Sequence, residues 1–313
     1  MARRIIIDTD PGQDDAVAIL LALASPEDLD VLGIVAVAGN VPLALTEKNA
    51  RRIVELAGRA DVPVHAGCVQ PMVRPLRTAE HVHGRTGLDG YALPEPSVAL
   101  AAKHGVDFIV DTVMAAPEGE VTLCTLGPLT NVAMALGRQP AIAGRLRQIV
   151  MMGGAYFEVG NITPTAEFNI YVDPQAADVV FRSGIPLTVA PLDLTHQMLT
   201  TERRRQAFAA IGNRTGAAVA GLLSFSERFD LQKYGGTGAP LHDPCVIAWL
   251  LRPELFQGRQ INVSIETASE LTMGMTVAVW WRVTNRPPNA LFLREGDADG
   301  YYALLTERFA RLP

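Results

Sequence analysis

The stretch Ile5-Ile6-Ile7-Asp8-Thr9-Asp10-Pro11-Gly12-Gln13-Asp14-Asp15-Ala16-Val17 decides the fold class. Three consecutive β-branched residues read as a strand buried on both faces. The Pro11-Gly12 step then forces a turn. From Gln13 to Ala24 the apolar positions Val17, Leu20, Leu21 and Ala24 follow a helical period. Strand, turn and helix in this order form the first half of a βαβ unit.

The pattern continues outward. Val31 to Ala38 reads as a second apolar strand, followed by a helix from Thr46 to Ala57. Further strands are expected at Val62 to Ala66, Val121 to Thr125, Gln148 to Met152 and Leu187 to Pro191. Helices are expected at Phe108 to Ala115, Leu129 to Leu136 and Pro174 to Ser183. Such alternation predicts an α/β fold with an open, mostly parallel sheet flanked by helices, joined by right-handed crossovers. Ligands in such folds sit beyond the carboxyl ends of the strands. From Thr200 to Phe229 helical periodicity runs without strong turns, and a Gly-rich loop follows from Tyr234 to Pro240. That stretch reads as an added helical layer near the site. No linker or repeat interrupts residues 1–313, so a single domain is expected.

Composition narrows the function. The 313 residues are 49% hydrophobic and 19% charged, with a formal net charge of −6. An acidic chain without clustered Lys and Arg argues against a nucleic-acid polymer as partner. Cys68, Cys124 and Cys245 are odd in number and widely spaced. They support neither a disulfide framework nor a zinc ribbon, and read as free thiols of a reducing compartment. With no signal-peptide core and no membrane-length apolar run, a cytoplasmic location is expected.

Asp8, Asp10, Asp14 and Asp15 fall within eight residues, beside the turn and at the helix start. The helix dipole accounts for one or two of them. Four carboxylates packed at a strand end repel one another, and a hard cation with oxygen ligands, Ca²⁺ or Mg²⁺, relieves that repulsion. Far along the chain, His242-Asp243-Pro244 precedes the apolar helix Cys245 to Leu251. Read alone, Asp243 is the N-cap of that helix with Pro244 at its first position. Asn161, Glu167, Asn169 and Asp173 form a third polar cluster, suited to sugar hydroxyls or simply to a polar loop.

These segments resemble the inosine-uridine nucleoside hydrolase family, in order and across almost the whole chain. The likeness is carried by Asp8 to Ala16, Ala38-Gly-Asn-Val41 with Asn49-Ala50, and His83-Gly-Arg-Thr-Gly87. Gly127 to Asn131, Met151 to Gly154, Gly160-Asn161, Glu167-Phe-Asn169, Asp173-Pro174 and Pro240 to Pro244 complete it. The resemblance implies hydrolysis of the N-glycosidic bond of ribonucleosides on a Rossmann-like core. It further implies one Ca²⁺ held by Asp10, Asp15, Asp243 and the backbone carbonyl of Leu126, with Asp10 as general base to the attacking water.

By the same resemblance, Asp14, Asn40 and Asn169 would bind the lower ribose hydroxyls, and Asn161 with Glu167 the 5′-hydroxyl. Met152 and Phe168 would pack around the sugar. His242 would stand near the leaving base as proton donor, with His83 and Tyr234 in the base pocket. Tyr234 resembles the tyrosine of pyrimidine-preferring members, whereas Ser226 and Asp230 match neither the pyrimidine nor the broad-specificity pattern. Ala278 stands where the family often has an acid, remote from the other motifs. A homo-oligomer, dimer or tetramer, is the expected assembly. A phosphatase with Asp8 as nucleophile and a non-catalytic nucleoside sensor are the rival readings.

Overall fold

The computed structural model describes residues 2–313, apart from the side chains of Asp230 and Tyr234. In chain order, β1 (Arg3–Thr9), α1 (Gln13–Leu23), β2 (Leu29–Ala36), α2 (Leu43–Leu56) and β3 (Val64–Ala66) form the first units. A short α3 (Glu80–His83) precedes α4 (Gly105–Ala115), β4 (Val121–Thr125), α5 (Thr130–Arg138), α6 (Ile142–Arg145) and β5 (Gln148–Met152). Then come α7 (Phe168–Val172), α8 (Pro174–Phe181), β6 (Leu187–Ala190) and α9 (Leu192–Thr195). The remainder is β7 (Leu199–Thr201), α10 (Glu202–Ala209), α11 (Arg214–Tyr234), β8 (Gly238–Pro240) and α12 (Pro244–Leu251). Strands β9 (Phe256–Ile261), β10 (Val263–Ile265), β11 (Thr276–Ala278) and β12 (Ala290–Gly296), with α13 (Ala298–Phe309), complete the chain.

Eight strands make the main sheet in the order β3-β2-β1-β4-β5-β6-β12-β9. All pairings are parallel except that of β9 with β12. The expected open, mostly parallel sheet flanked by helices is therefore present. Its strands alternate between two apolar layers. Ile5 and Ile7 join the layer built with α1, α2, α11 and α12, whereas Ile6 joins the opposite layer with α4, α5 and α8. Burial on both faces is why the opening run is continuous rather than alternating. Helix α1 is buried along its whole length from Ala16 to Leu23, because it packs against α2, α11, α12 and α13 as well as the sheet.

Two expectations need correction. The stretch Thr200 to Phe229 is not one helical run: β7 occupies its start, and α10 and α11 are separate helices. Gly212 takes a left-handed φ of +80° between them, a conformation favoured by glycine. The Asn213 side chain then caps α11 by accepting from the Gly216 N–H at 2.7 Å. The Gly-rich loop likewise contains β8, which pairs antiparallel with β7. The C-terminal strands were not legible in the apolar pattern. Among them β12 enters the main sheet between β6 and β9. Ala278 is buried in the β10–β11 hairpin, paired with Val263. Among the described residues no helix is long and apolar enough to cross a membrane. All three cysteines are free, Cys124 and Cys245 buried and Cys68 half-buried.

Candidate active site

Strand order reverses at β1, which lies between β2 and β4. Such a switch point opens a crevice at the carboxyl ends of the strands, and the residues singled out from the sequence gather there. Asp10 follows β1, Asn40 follows β2, Leu126 follows β4, and Met152 ends β5. His242 and Asp243 come from the entry to α12. One cavity collects Asp14, Asn40, His83, Leu126, Met152, Asn161, Glu167, Phe168, Asn169, Ser226, His242 and Asp243 along its wall. Its space, open mouth included, is about 940 Å³, enough for a nucleoside-sized ligand.

The floor is acidic. Ligand oxygens of Asp14, Asp15 and Asp243 lie within 4.8 Å of one another. Asp15 is anchored by Thr9 Oγ1 (2.5 Å), the Gly12 N–H (2.9 Å) and Asn40 Nδ2 (3.2 Å). Its bond to the Gly12 N–H closes the N-terminus of α1. The helix-capping reading of Asp243 fails. That residue precedes α12, yet its side chain makes no capping bond and instead joins the acid cluster. Asp14, assigned by resemblance to the ribose, belongs to the same cluster and reaches the cavity wall.

Asp10 is fully buried just beneath. Its Oδ2 accepts from the Asn40 N–H at 2.7 Å, while Oδ1 has no hydrogen-bond partner. Gly39 and Gly127 cradle this carboxylate. A Cβ at Gly39 would lie 2.0 Å from Oδ2, and one at Gly127 2.3 Å from Oδ1. Burial, then the neighbouring Asp15, pushes the Asp10 carboxyl well above its ordinary range. Burial, then Asp14, Asp15 and Asp10, does the same to Asp243. Desolvation lifts Asp14 to about 6, and with Asp14's charge it lifts Asp15 to about 6. An orphaned buried oxygen beside mutually repelling carboxylates is the donor set that a hard divalent cation satisfies. The Leu126 carbonyl accepts from Asn169 Nδ2 at 2.7 Å, which leaves its second lone pair for another partner.

Along one wall, Glu167 caps α7, accepting from the N–H groups of Asn169 (2.9 Å), Gly154 (3.0 Å) and Ile170 (3.2 Å). Burial nevertheless raises its carboxyl to about 7. Asn161 Oδ1 accepts from the Phe168 N–H at 2.8 Å, leaving its amide N–H groups for other partners. Asp173 stands apart from this wall. It caps α8 and accepts from Thr130 Oγ1 and the Met72 N–H, a structural role. Asp8 is fully buried too, and its Oδ2 accepts from Asn131 Nδ2 at 2.8 Å.

The other end of the cavity carries imidazoles and apolar groups. His242 Nδ1 lies 2.7 Å from Thr195 Oγ1, and burial holds this ring well below the ordinary histidine range, at about 3. His83 Nδ1 lies 2.7 Å from Gln13 Oε1, and burial lowers it to about 4. Both rings are therefore neutral near pH 7. The side chains of Tyr234 and Asp230, predicted for the base pocket, lie outside the described residues. His81, His196, Ile162, Leu223, Phe229 and Lys233 also line the cavity, and none was singled out from the sequence. His196 carries a weak local signal, standing next to Thr195. Phe229 carries none, because an aromatic at helical spacing reads equally well as core.

The comparisons with known proteins follow the same contours. The profile of the family described as inosine-uridine preferring nucleoside hydrolase matches residues 5–303. An uncharacterized protein of Schizosaccharomyces pombe is 53% identical over 310 residues, covering 99% of this chain and 100% of its own. The pyrimidine-specific ribonucleoside hydrolase RihA of Citrobacter koseri is 47% identical over 311 residues, with 99% of each chain covered. The solved structure of a purine-preferring ribonucleoside hydrolase from Gardnerella vaginalis superposes with a TM-score of 0.92 at 29% identity, covering 98% of each chain.

Proposed function

The chain belongs to the inosine-uridine preferring nucleoside hydrolase family, and from that premise we propose how this ribonucleoside hydrolase works. In our reading Asp10, Asp15, Asp243 and the Leu126 carbonyl would hold one Ca²⁺, which would lower the pKa of a water. Asp10 takes the proton of the attacking water as general base. The observation that carries this assignment is its Oδ1, buried and without a hydrogen-bond partner among the described residues.

Asp14, Asn40 and Asn169 hold the lower ribose hydroxyls, and Asn161 and Glu167 the 5′-hydroxyl. Met152 and Phe168 border the sugar. Hydroxyl contacts that tighten as charge develops favour an oxocarbenium-like transition state over the bound substrate. The nucleobase then lies toward His242, His83 and Ser226 of α11. His242, its Nδ1 held by Thr195, presents its remaining ring nitrogen to the departing base.

Uridine and cytidine are the proposed substrates. Relatives named pyrimidine-specific stand at 47% identity, against 29% for the purine-preferring structure. The same reading places the enzyme in the cytoplasm as a dimer or tetramer of identical chains, which cell fractionation and light scattering test.

Ribose release from uridine, cytidine, inosine and adenosine, with calcium, with excess chelator, and with Asp10→Asn, tests the whole scheme. Release from the pyrimidine nucleosides that requires both calcium and Asp10 is expected. Undiminished release in chelator removes the metal, and faster release from inosine removes the pyrimidine preference.

A further inference from the structure

The segment that carries His83 is tied to the N-terminus of α1 by two buried amides. Asn49 of α2 donates from Nδ2 to the carbonyls of Pro11 and Thr86, at 3.1 and 2.7 Å. Gln13, the first residue of α1 and fully buried, donates from Nε2 to the His83 carbonyl at 2.9 Å and to the Asp89 carbonyl at 3.1 Å. Its Oε1 lies 2.7 Å from His83 Nδ1. The ring can come so close because residue 12 is glycine: a Cβ there would fall 2.4 Å from His83 Nδ1. Gly12 and Gln13 thus receive the imidazole directly before the acid cluster begins at Asp14.

Those contacts fix where the ring carries its hydrogen. An amide nitrogen only donates, and an amide oxygen only accepts. Turning the Gln13 amide over would set its oxygen against two carbonyl oxygens, so Nε2 must face the main chain and Oε1 the imidazole. An acceptor at 2.7 Å needs a donor opposite, and His83 Nδ1 is therefore the protonated nitrogen. Its partner is a neutral amide, and burial keeps the ring neutral near pH 7. In a neutral imidazole the other nitrogen is then bare. His83 lines the cavity, and with Nδ1 engaged its Nε2 is the polar ring atom left for a ligand. His242 is not determined in this way, because the Thr195 hydroxyl beside it can donate or accept.

We propose that Gln13 is a positioning residue that locks His83 as a hydrogen-bond acceptor, so that His83 Nε2 takes an N–H of the nucleobase. This rests on the reading that places the base at the His83 end of the cavity. The ligand chemistry that fits is a base with an N–H on the edge away from the sugar. In uridine the only N–H of the base is at N3, in inosine it is at N1, and cytidine offers its exocyclic amine. A bare Nε2 gains nothing from an edge that carries only acceptors. The turn that holds the acid cluster therefore also sets what the base must present.

The tautomer is read from the imidazole nitrogen resonances of histidine-labelled, calcium-loaded protein at pH 7, with the His83 pair identified by its absence in His83→Gln. A protonated Nδ1 beside a bare Nε2 is expected. A protonated Nε2, alone or together with Nδ1, overturns the lock. Gln13→Met is close in volume but has no amide, and its His83 ring is expected to average the two neutral tautomers; a ring that keeps the Nδ1 hydrogen there also overturns the lock. Kinetics use whichever of uridine and inosine the unmodified enzyme cleaves better, so an error in base preference shows separately. Gln13→Met is expected to raise KM roughly three- to tenfold, the worth of one hydrogen bond, with kcat changed less than about threefold. The preference over the N-methylated counterpart, 3-methyluridine or 1-methylinosine, is expected to shrink by the same factor. A loss confined to kcat, or an unchanged KM and preference, overturns the contact with the base. If the tautomer is nevertheless the expected one, it is the placement of the base that has failed. The resonances of the unmodified protein decide the lock even if Gln13→Met does not fold.

Discussion

Adding a single methyl group at Gly39 tests whether the position of Asp10 sets the rate. The Cβ of Gly39→Ala would fall 2.0 Å from Asp10 Oδ2 and 2.9 Å from Pro128 Cδ. Gly39 is not among the residues with positive φ, so alanine suffers no intrinsic backbone penalty there and the effect is steric. Ordinary contact needs about 3.4 Å, so the carboxylate must retreat by about 1 Å or more. Oδ2 would also lose its bond to the Asn40 N–H, now 2.7 Å long. Gly127, 2.3 Å from Oδ1 by the same construction, closes the retreat on the other side. Misplacement of a reacting group by about 1 Å costs on the order of 10²-fold in rate, and overpacking a tight site costs roughly 1–3 kcal/mol in stability. The assay is kcat and KM for uridine in saturating calcium, with a thermal melt of the same sample. A loss of about 10²-fold concentrated in kcat is expected, in a protein that still folds. A folded Gly39→Ala variant with unchanged kcat would refute the assignment of Asp10 as a positioned base.

Three further outcomes follow from the same geometry. Thr195→Val removes the hydroxyl that orients His242, and is expected to lower kcat on uridine about tenfold with little change in KM, read by steady-state kinetics. Asp243→Asn removes one charge from the acid cluster, so the rise in melting temperature on adding calcium is expected to shrink or vanish in a titration followed by differential scanning fluorimetry. Asp8 bears on pH, because burial raises its carboxyl to about 7 from an ordinary 3.8. The folded state then binds more protons than the unfolded one between those values. Its contribution is therefore complete below about pH 3.8 and lost as pH rises through 7. In chelator, Asp8→Asn is expected to gain stability relative to the unmodified protein between pH 4 and pH 8, by a few kcal/mol. Denaturant midpoints that run parallel across that range would count against it.

Much of the fold was legible because its signals are local. Runs such as Ile5–Ile7 and Ile149–Met152 are apolar on both faces, and only strands of a covered sheet need that. Helices α1, α2, α4, α5 and α8 lie within a few residues of where periodicity placed them. The failures were equally physical. Gly212 and Asn213 split a periodic stretch into α10 and α11, and periodicity is insensitive to a break of four residues. The strand β9 has four consecutive exposed residues, Gln257 to Gln260, because it lies at a sheet edge, and so it lacked an apolar signature.

The acid cluster was legible in part, since four carboxylates within eight residues are more than one turn and one helix start use, although Asp8 is bonded to Asn131 and only Asp14 and Asp15 of the four join Asp243. Asp243 was not. Its spacing before Pro244 mimics a helix cap, and only the absence of a capping bond, together with the closeness of Asp14 and Asp15, reveals where its side chain goes. Asp173 shows the opposite case: it kept company in sequence with Asn161 and Glu167, yet its oxygens serve α8, Thr130 and Met72.

The sequence by itself therefore determined the α/β class, the strand-end location of the site and its oxygen-rich character, because each rests on residues close together along the chain. Tertiary structure alone decided the rest. It inserted β12 between β6 and β9, wedged Asp10 between Gly39 and Gly127, and brought His83, His196 and His242 around one cavity. Those contacts join residues tens to hundreds of positions apart, and side-chain partners at that separation are set by how the layers pack, which no local pattern encodes.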